Sequence, residues 1–380
     1  MNHSLPAPNI ENPSIWPNSS TNPSPDDHHS RQLIWPNSST NPPPDDHSRQ
    51  LICWITAVLA TNVFGTVANA ILLLVLTAHR PLRQSASCAL IVHCIIIDLY
   101  STAVVVPVLT VPVYLGPAFP LPRDFCRFQP LIIYSSYAAS MYASCVLALH
   151  RLLATLIPHR FHVLTGRRPL TAMIIFPWVV ALAINIFPTV ETGIRTVRSP
   201  LSGGCTFTAV EGWSNQQVFL LLSTLGYYLP TGLMGVSYTV ILVKSCRDLR
   251  RRKRKSRALL RRIDISRTLC LSFFWHCFTI YPGIIALAFF AQEYAGSFTG
   301  QLWIKWLGSS FSAINPIFLC CSSSLFQQGI KAVLRKMFRC QRANGEGGFM
   351  GVPETLEGSS TLIRGDFGED DVEMVAISKY

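Results

Sequence analysis

Residues 126–158, CRFQPLIIYSSYAASMYASCVLALHRLLATLIP, carry no charge between Arg127 and His150. A helix rising ~1.5 Å per residue would set Cys126 and Arg151 roughly 37 Å apart, slightly more than a ~30 Å hydrocarbon core. The segment therefore reads as a membrane-crossing helix with a cysteine at one face and an arginine at the other. Its Ala, Ser and Tyr content suits packing among other helices better than contact with lipid, so it is the central helix of a bundle. Six further apolar spans lie at about 53–77, 88–115, 170–190, 218–244, 268–291 and 302–321. Each is bounded by charges, Gly or Pro. Pro107, Pro112, Pro177, Pro230, Pro282 and Pro316 fall inside these spans, where neighbouring helices re-satisfy the freed carbonyls. The expected fold is an all-α membrane protein, a seven-transmembrane helix bundle spanning 52–322.

Composition agrees. Only 14% of the 380 residues are charged, against about a quarter in soluble domains. The net charge of +12 sits in short segments between apolar spans, not on one face, which excludes nucleic acid as the partner. Twelve cysteines contain no CxxC spacing, so no metal framework is expected. Arg80, Arg83, Arg160, Arg167 and Arg168 follow the first and third spans; the loop after the fifth reads RDLRRRKRKSRALLRR. Lys331, Arg335, Lys336, Arg339 and Arg342 follow the seventh. By the positive-inside rule these segments are cytoplasmic and the N-terminus is extracellular. A plasma-membrane protein results. No basic region with an apolar run opens the chain, so the first span itself would act as the insertion signal.

Residues 1–51 contain a tandem repeat, IWPNSSTNPSPDDHHSRQL then IWPNSSTNPPPDDHSRQL. A Pro/Asn/Ser-rich unit of this kind buries no core and is expected to be disordered. Glycan acceptor sequons stand at Asn2, Asn18 and Asn37. Residues 323–340, basic and amphipathic, are expected to form a short eighth helix lying on the inner leaflet. Cys340 ends it, as a palmitoylation site or a plain reduced cysteine. Residues 341–380 turn Gly-rich and acidic, a disordered cytoplasmic tail.

Residues 52–340 resemble the rhodopsin-like (class A) family of G-protein-coupled receptors. On the third span Cys126, Arg151 and Pro158 match the family's disulfide cysteine, cytoplasmic arginine and following proline. Asn69 and Asp98 match its buried polar pair, and Trp178 with Pro188 fits the fourth span. Pro230 with Tyr238, and Pro282, fit the fifth and sixth. The seventh ends NPIFL, so Asn315 and Pro316 match the first half of the NPxxY motif.

The resemblance implies a disulfide between Cys126 and Cys205, pinning a loop over the bundle mouth. It implies G-protein coupling through Arg151 and Tyr238, flanked by His150 and by Arg262 at the base of the sixth span. Asp98 is an ionisable group mid-membrane and functional by default. Asn69, Ser140 and Asn315 match positions facing it. Two readings stay open there, an allosteric sodium ion and a water-filled hydrogen-bond network; no other cofactor is implied. Phe311 stands where the family often has a further polar ligand, though Ser312 follows.

Several switch residues depart from the family. The acidic-Arg-Tyr triplet reads His150-Arg151-Leu152, the NPxxY tyrosine is Leu319, and the sixth span carries Ile280 and His276 for Trp and an aromatic. The acidic residue expected at the base of the sixth span is Arg262. Raised basal activity is one expectation; a non-coupling receptor is the other.

The ligand is expected to be non-aminergic, because the amine-binding aspartate of the family is Ile133 here, and the opsin lysine position is Ser309. Tyr134, Tyr137, Tyr227, Tyr281, Trp303 and Trp306 are candidate pocket residues, the tryptophans equally well interfacial anchors. Lys305, with Arg123, Arg127, Arg195 and Arg198 near the outer mouth, suits an anionic ligand, a lipid or a peptide. Alternatively Lys305 snorkels to water or pairs with Glu191 or Glu293. Residues 244–267 hold twelve Lys/Arg and two Asp, facing membrane lipid and a heterotrimeric G protein. Ser359, Ser360 and Thr361 are candidate phosphosites for arrestin. The terminal Ser378-Lys379-Tyr380 loosely resembles a PDZ ligand. No enzyme motif appears, and His93, Asp98, His150 and His276 are too dispersed for a catalytic cluster. A transporter or channel is the remote alternative.

Overall fold

The computed structural model of the protein describes residues 44–78, 87–122, 124–158, 161–199, 202–210, 212, 214–251, 257–290 and 297–345. The chain divides into two units, 1–49 and 50–380. Of the first only 44–49, the opening of a helix, is described; everything below concerns the second. Asn2, Asn18, Asn37, Arg123, Glu293 and the C-terminal tail lie outside the described residues, as do the side chains of Arg262 and Cys340.

Helices dominate: α1 Pro44–Ala78, α2 Cys88–Leu115, α3 Phe125–Leu156, α4 Arg167–Thr189, α5 (215–251), α6 Arg257–Phe289, α7 Phe298–Ser322 and α8 Ser324–Gly345. Six of them are long and apolar enough to cross a membrane, and α7 makes a seventh together with 326–335, to which it is bent by 92°. α1 begins at Pro44 rather than near residue 53. α8 runs past Cys340 to Gly345. Between α4 and α5 lie β1 Ile194–Arg198 and β2 Cys205–Ala209, an antiparallel hairpin in which Arg198 faces Cys205 and Ile194 faces Ala209.

α3 is the most buried span, because its small residues Ala138, Ala139, Ala143 and Ala148 allow neighbouring backbones to approach. Pro107 and Pro230 leave a second mark. Each is preceded by a π turn, Ser101–Val105 and Thr224–Tyr228. Proline has no N–H and its ring repels the carbonyl one turn earlier, so the turn before it widens. In the π register the Leu225 carbonyl would look to residue 230, which has no N–H to give. Tyr142 of α3 supplies the donor instead, Oη to O at 2.7 Å.

Gly65 is the tightest contact of α1. A Cβ there would stand 2.5 Å from Ala313 Cβ, 2.6 Å from Ala313 Cα and 2.9 Å from Thr102 Cγ2. The offending atoms include backbone, so α1 must shift away from α7 to admit a methyl. Gly65→Ala is expected to cost about 1–3 kcal/mol, read as a lowered unfolding temperature of purified protein; an unchanged melt would refute the close approach.

Candidate functional site

Midway along the bundle Asp98 is 1% exposed. Asn315 Nδ2 of α7 donates to Asp98 Oδ2 at 2.7 Å, and Ser272 Oγ of α6 donates to Asn315 Oδ1. Ser312 also approaches the carboxylate with its side chain. Asn69 Nδ2 of α1 donates to the carbonyls of Gly65 and Ser312, both at 2.9 Å. Helices α1, α2, α6 and α7 are thus joined through one polar cluster. The expected facing set needs correction. Asn315 bonds Asp98, but Asn69 reaches the α7 backbone instead, and Ser140, though buried, makes no hydrogen bond to the carboxylate. Ser272 takes part unforeseen, and Ser312, next to Phe311, supplies a further polar group. Ser101 Oγ and Ser136 Oγ pair beside the cluster at 2.9 Å.

Asp98 Oδ1 and Asn69 Oδ1 have no hydrogen-bond partner. Buried oxygens of this kind are completed by water or a cation, so the donor set fits a sodium ion as well as a water. Among the described residues no group of three or more His, Cys, Asp or Glu is placed to hold a metal.

Below Asp98 lies a cavity of about 40 Å³ lined by Met141, Tyr238, Ser272, His276, Asn315 and Leu319 among others. That is room for at least one water. His276 stands edge-on to Phe311, ring centroids 4.2 Å apart, and neither of its ring nitrogens has a partner. Leu319 contributes only apolar surface where the family's motif has a tyrosine.

At the basic end His150 is buried and shares a hydrogen bond with Ser87, Nδ1 to Oγ at 3.1 Å, and packs on Phe161. The histidine ties α3 to the start of α2. Arg151 follows it, in the neighbourhood of the Tyr238 phenol. Lys244 of α5 donates to the Thr155 carbonyl of α3. Asp264, two residues past Arg262, reaches the junction of α7 and α8. Its Oδ2 accepts from Ser324 N at 3.0 Å, Ser324 Oγ at 3.1 Å and Ser323 Oγ at 3.3 Å. The sequence held one clue, an aspartate within a run of arginines, but nothing to say what it faces.

At the opposite end Cys126 and Cys205 form a disulfide with S–S 2.02 Å and Cα–Cα 5.5 Å. Arg198 donates to the carbonyls of Gly116, Phe119 and, at 3.1 Å, Gly203. Gly203 has φ +70°, and a Cβ there would meet the Gly116 backbone at 2.7 Å. The hairpin turn is therefore wedged against the end of α2. Arg127 Nε donates to the Thr189 carbonyl at 2.9 Å. Arg127 and Arg198, expected to attract a ligand, are engaged in holding the architecture. Arg195 is exposed.

Tyr134 stacks against Phe207 of β2, centroids 4.7 Å apart, and Tyr134, Tyr137 and Tyr227 lie close enough to interact electrostatically. Tyr281 instead faces Tyr228 at 6.0 Å. Ile133 is fully buried. Trp306 Nε1 donates to Thr61 of α1 at 3.1 Å and packs on the buried cluster around Trp54 and Leu302, whereas Trp303 is 39% exposed. His93 accepts from Trp178 Nε1 at 3.0 Å, His150 shares its bond with Ser87 and His276 packs on Phe311, three separate settings.

Comparison with known proteins covers the same region. The profile of the family "7 transmembrane receptor (rhodopsin family)" matches residues 68–319. The chain is 28% identical to the substance-K receptor of Homo sapiens over 310 residues, covering 76% of this chain and 73% of that receptor. It is 24% identical to the alpha-1A adrenergic receptor of Homo sapiens over 327 residues, covering 75% and 68%. The substance-K receptor of Bos taurus is 26% identical over 304 residues, covering 76% and 75%. With the seven-helix bundle, the disulfide and the Asp98–Asn315 pair, the match over the spans settles the class: the chain belongs to the rhodopsin family of seven-transmembrane receptors, multi-pass plasma-membrane proteins that work as receptors for extracellular ligands with G-protein partners and not as enzymes.

Proposed function

We propose that this receptor binds a non-aminergic, anionic ligand, a lipid or a peptide, at the hairpin end and passes the signal to a heterotrimeric G protein at the basic end. The hairpin end and N-terminal tail face outside and the C-terminus lies in the cytoplasm, as the distribution of Lys and Arg indicates. The observation that carries the reading is the polar cluster around Asp98. Placed between the two ends, it links four helices by hydrogen bonds, contacts that a conformational change passed along the bundle has to rearrange.

Ile133 opposes an amine, since it offers no counter-charge where one is needed. Tyr134, Tyr137 and Tyr227 supply aromatic surface beneath the hairpin. A sodium ion, if held, would meet Asp98, Ser140, Ser312 and Asn315 and balance the carboxylate's charge. Arg151 and Tyr238 form the coupling surface with the basic 244–267 segment, which also meets anionic lipid. Arrestin at Ser359–Thr361, glycans at Asn2, Asn18 and Asn37, palmitate on Cys340 and a PDZ contact at Tyr380 complete the partners.

The test is nucleotide exchange on purified G proteins by the full-length receptor in bilayers, with Arg151→Ala at equal amount. Exchange above the lipid-only control that falls at least tenfold with Arg151→Ala is expected. Exchange indifferent to Arg151, or solute uptake by the same vesicles, would overturn the reading in favour of a non-coupling receptor or a transporter.

A further inference from the structure

Lys305 stands in the hairpin half of α7, within an apolar span, where an ammonium group must find a counter-charge or reach water. Among the described residues no carboxylate pairs with it; Glu191 is exposed and makes no contact with it. The described arginines nearby that are drawn inward, Arg127 and Arg198, already donate to backbone carbonyls. Lys305 is partly buried and has no such carbonyl among its contacts.

A second polar group without a partner meets it. Ser202, at the hairpin turn, is 1% exposed, and its hydroxyl has no hydrogen-bond partner. Lys305 Nζ and Ser202 Oγ flank Gly204: a Cβ at that glycine would stand 3.4 Å from Nζ and 3.7 Å from Oγ. The hydroxyl is buried without a partner, and the ammonium beside it has no counter-charge among the described residues, a costly arrangement to leave alone. Water accepts from both but leaves the ammonium charge unbalanced; an anion with two or three oxygens gives each group its own hydrogen bond and balances that charge.

The surroundings say what such an anion is attached to. The third atom at the Gly204 position is Val113 Cγ2, 3.2 Å away. Val113 belongs to a cluster with Trp54, Val58, Val106 and Leu302, all buried. The polar pair thus opens onto apolar side chains of α1, α2 and α7.

We propose that Lys305 and Ser202 hold the acidic head group, carboxylate or phosphate monoester, of the ligand. The assignment deepens the anionic reading of the proposed function and rests on it for the ligand's role, though not for the binding itself. Gly204 leaves this corner open, since a Cβ there would crowd Val113 Cγ2 and touch the lysine head. Ser202, carried by the hairpin, couples head-group capture to the position of the loop that the disulfide pins.

The experiment uses the full-length receptor in neutral nanodiscs, with oleate, lysophosphatidate, oleyl alcohol, acetate and inorganic phosphate as probes of its thermal unfolding. Oleate or lysophosphatidate should raise the unfolding temperature of the wild type, with oleyl alcohol inert. Lys305→Gln should weaken the effective probe at least tenfold, Ser202→Ala several-fold, and Lys305→Arg should restore most of it. Acetate or phosphate acting with the same dependence on Lys305 would support the site with a soluble anion as its source. Stabilisation that is equal in wild type and Lys305→Gln, or equal for oleyl alcohol and oleate, would overturn the assignment, as would no stabilisation by any probe. Lys305-dependent binding without G-protein exchange would leave the site standing and remove the coupling reading alone.

Discussion

Cys205→Ser and Cys126→Ser are each expected to lower the unfolding temperature of the purified receptor further than Gly65→Ala does. The disulfide joins residues 79 apart in sequence, and closing a loop of that length removes about 4.5 kcal/mol of chain entropy from the unfolded state in the loop-closure account. The native side adds to this. Cys126 opens α3, and Cys205 opens β2 opposite Arg198, whose guanidinium reaches three carbonyls around the end of α2. Releasing the disulfide therefore loosens the whole turn, including Ser202 and Gly203. The double variant Cys126→Ser/Cys205→Ser should melt with the singles, because both remove the same bond. Additive losses, or melts matching the wild type, would show that the bond does not hold the hairpin.

Asp264→Ala is expected to raise signalling in the absence of ligand. One carboxylate oxygen receives three donors from the α7–α8 junction, and hydrogen bonds to a charged group contribute about 1.5–3 kcal/mol each. A conformation that opens the basic end by moving α6 must break all three. If only one bond's worth is lost net, the resting state is disfavoured by roughly ten- to hundredfold. Asp264→Asn keeps an acceptor without the charge and should give an intermediate rise. Basal cyclic AMP, calcium and arrestin recruitment at equal surface expression are the readouts. Basal activity at or below wild type in both variants would mean that the contact does not restrain α6. The raised basal activity expected from Arg262 thus has a structural counterweight two residues further along.

Much of the fold is legible in the chain because membrane helices announce themselves locally. Seven apolar spans bounded by charge or proline need no knowledge of one another to be found, since each must satisfy its own backbone in lipid. Cys126, Arg151, Asp98 and Asn315 could be placed by their spacing along those spans. Pro107 and Pro230 implied carbonyls re-satisfied by neighbouring helices, whereas the π geometry and the donation of Tyr142 to the Leu225 carbonyl emerge only in space.

Which groups meet was another matter. Asn69 was matched to Asp98 but bonds the α7 backbone; Ser272 and Ser312 occupy the cluster instead of Ser140. Arg127 and Arg198 counted as ligand-facing charges until their carbonyl partners appeared. Ser87 and Asp264 make contacts that their sequence settings do not specify, because a lone hydroxyl or carboxylate looks the same wherever it points. The sequence by itself determined the apolar spans and the buried ionisable Asp98, which follow from composition and spacing along single helices, and by resemblance to a family it pointed to the class and to the Cys126–Cys205 bridge. Only the tertiary structure decided partners, because these depend on the rotation of each helix about its axis and its shift along its neighbours, and a contact of about 3 Å is made or lost by less than one residue's rise.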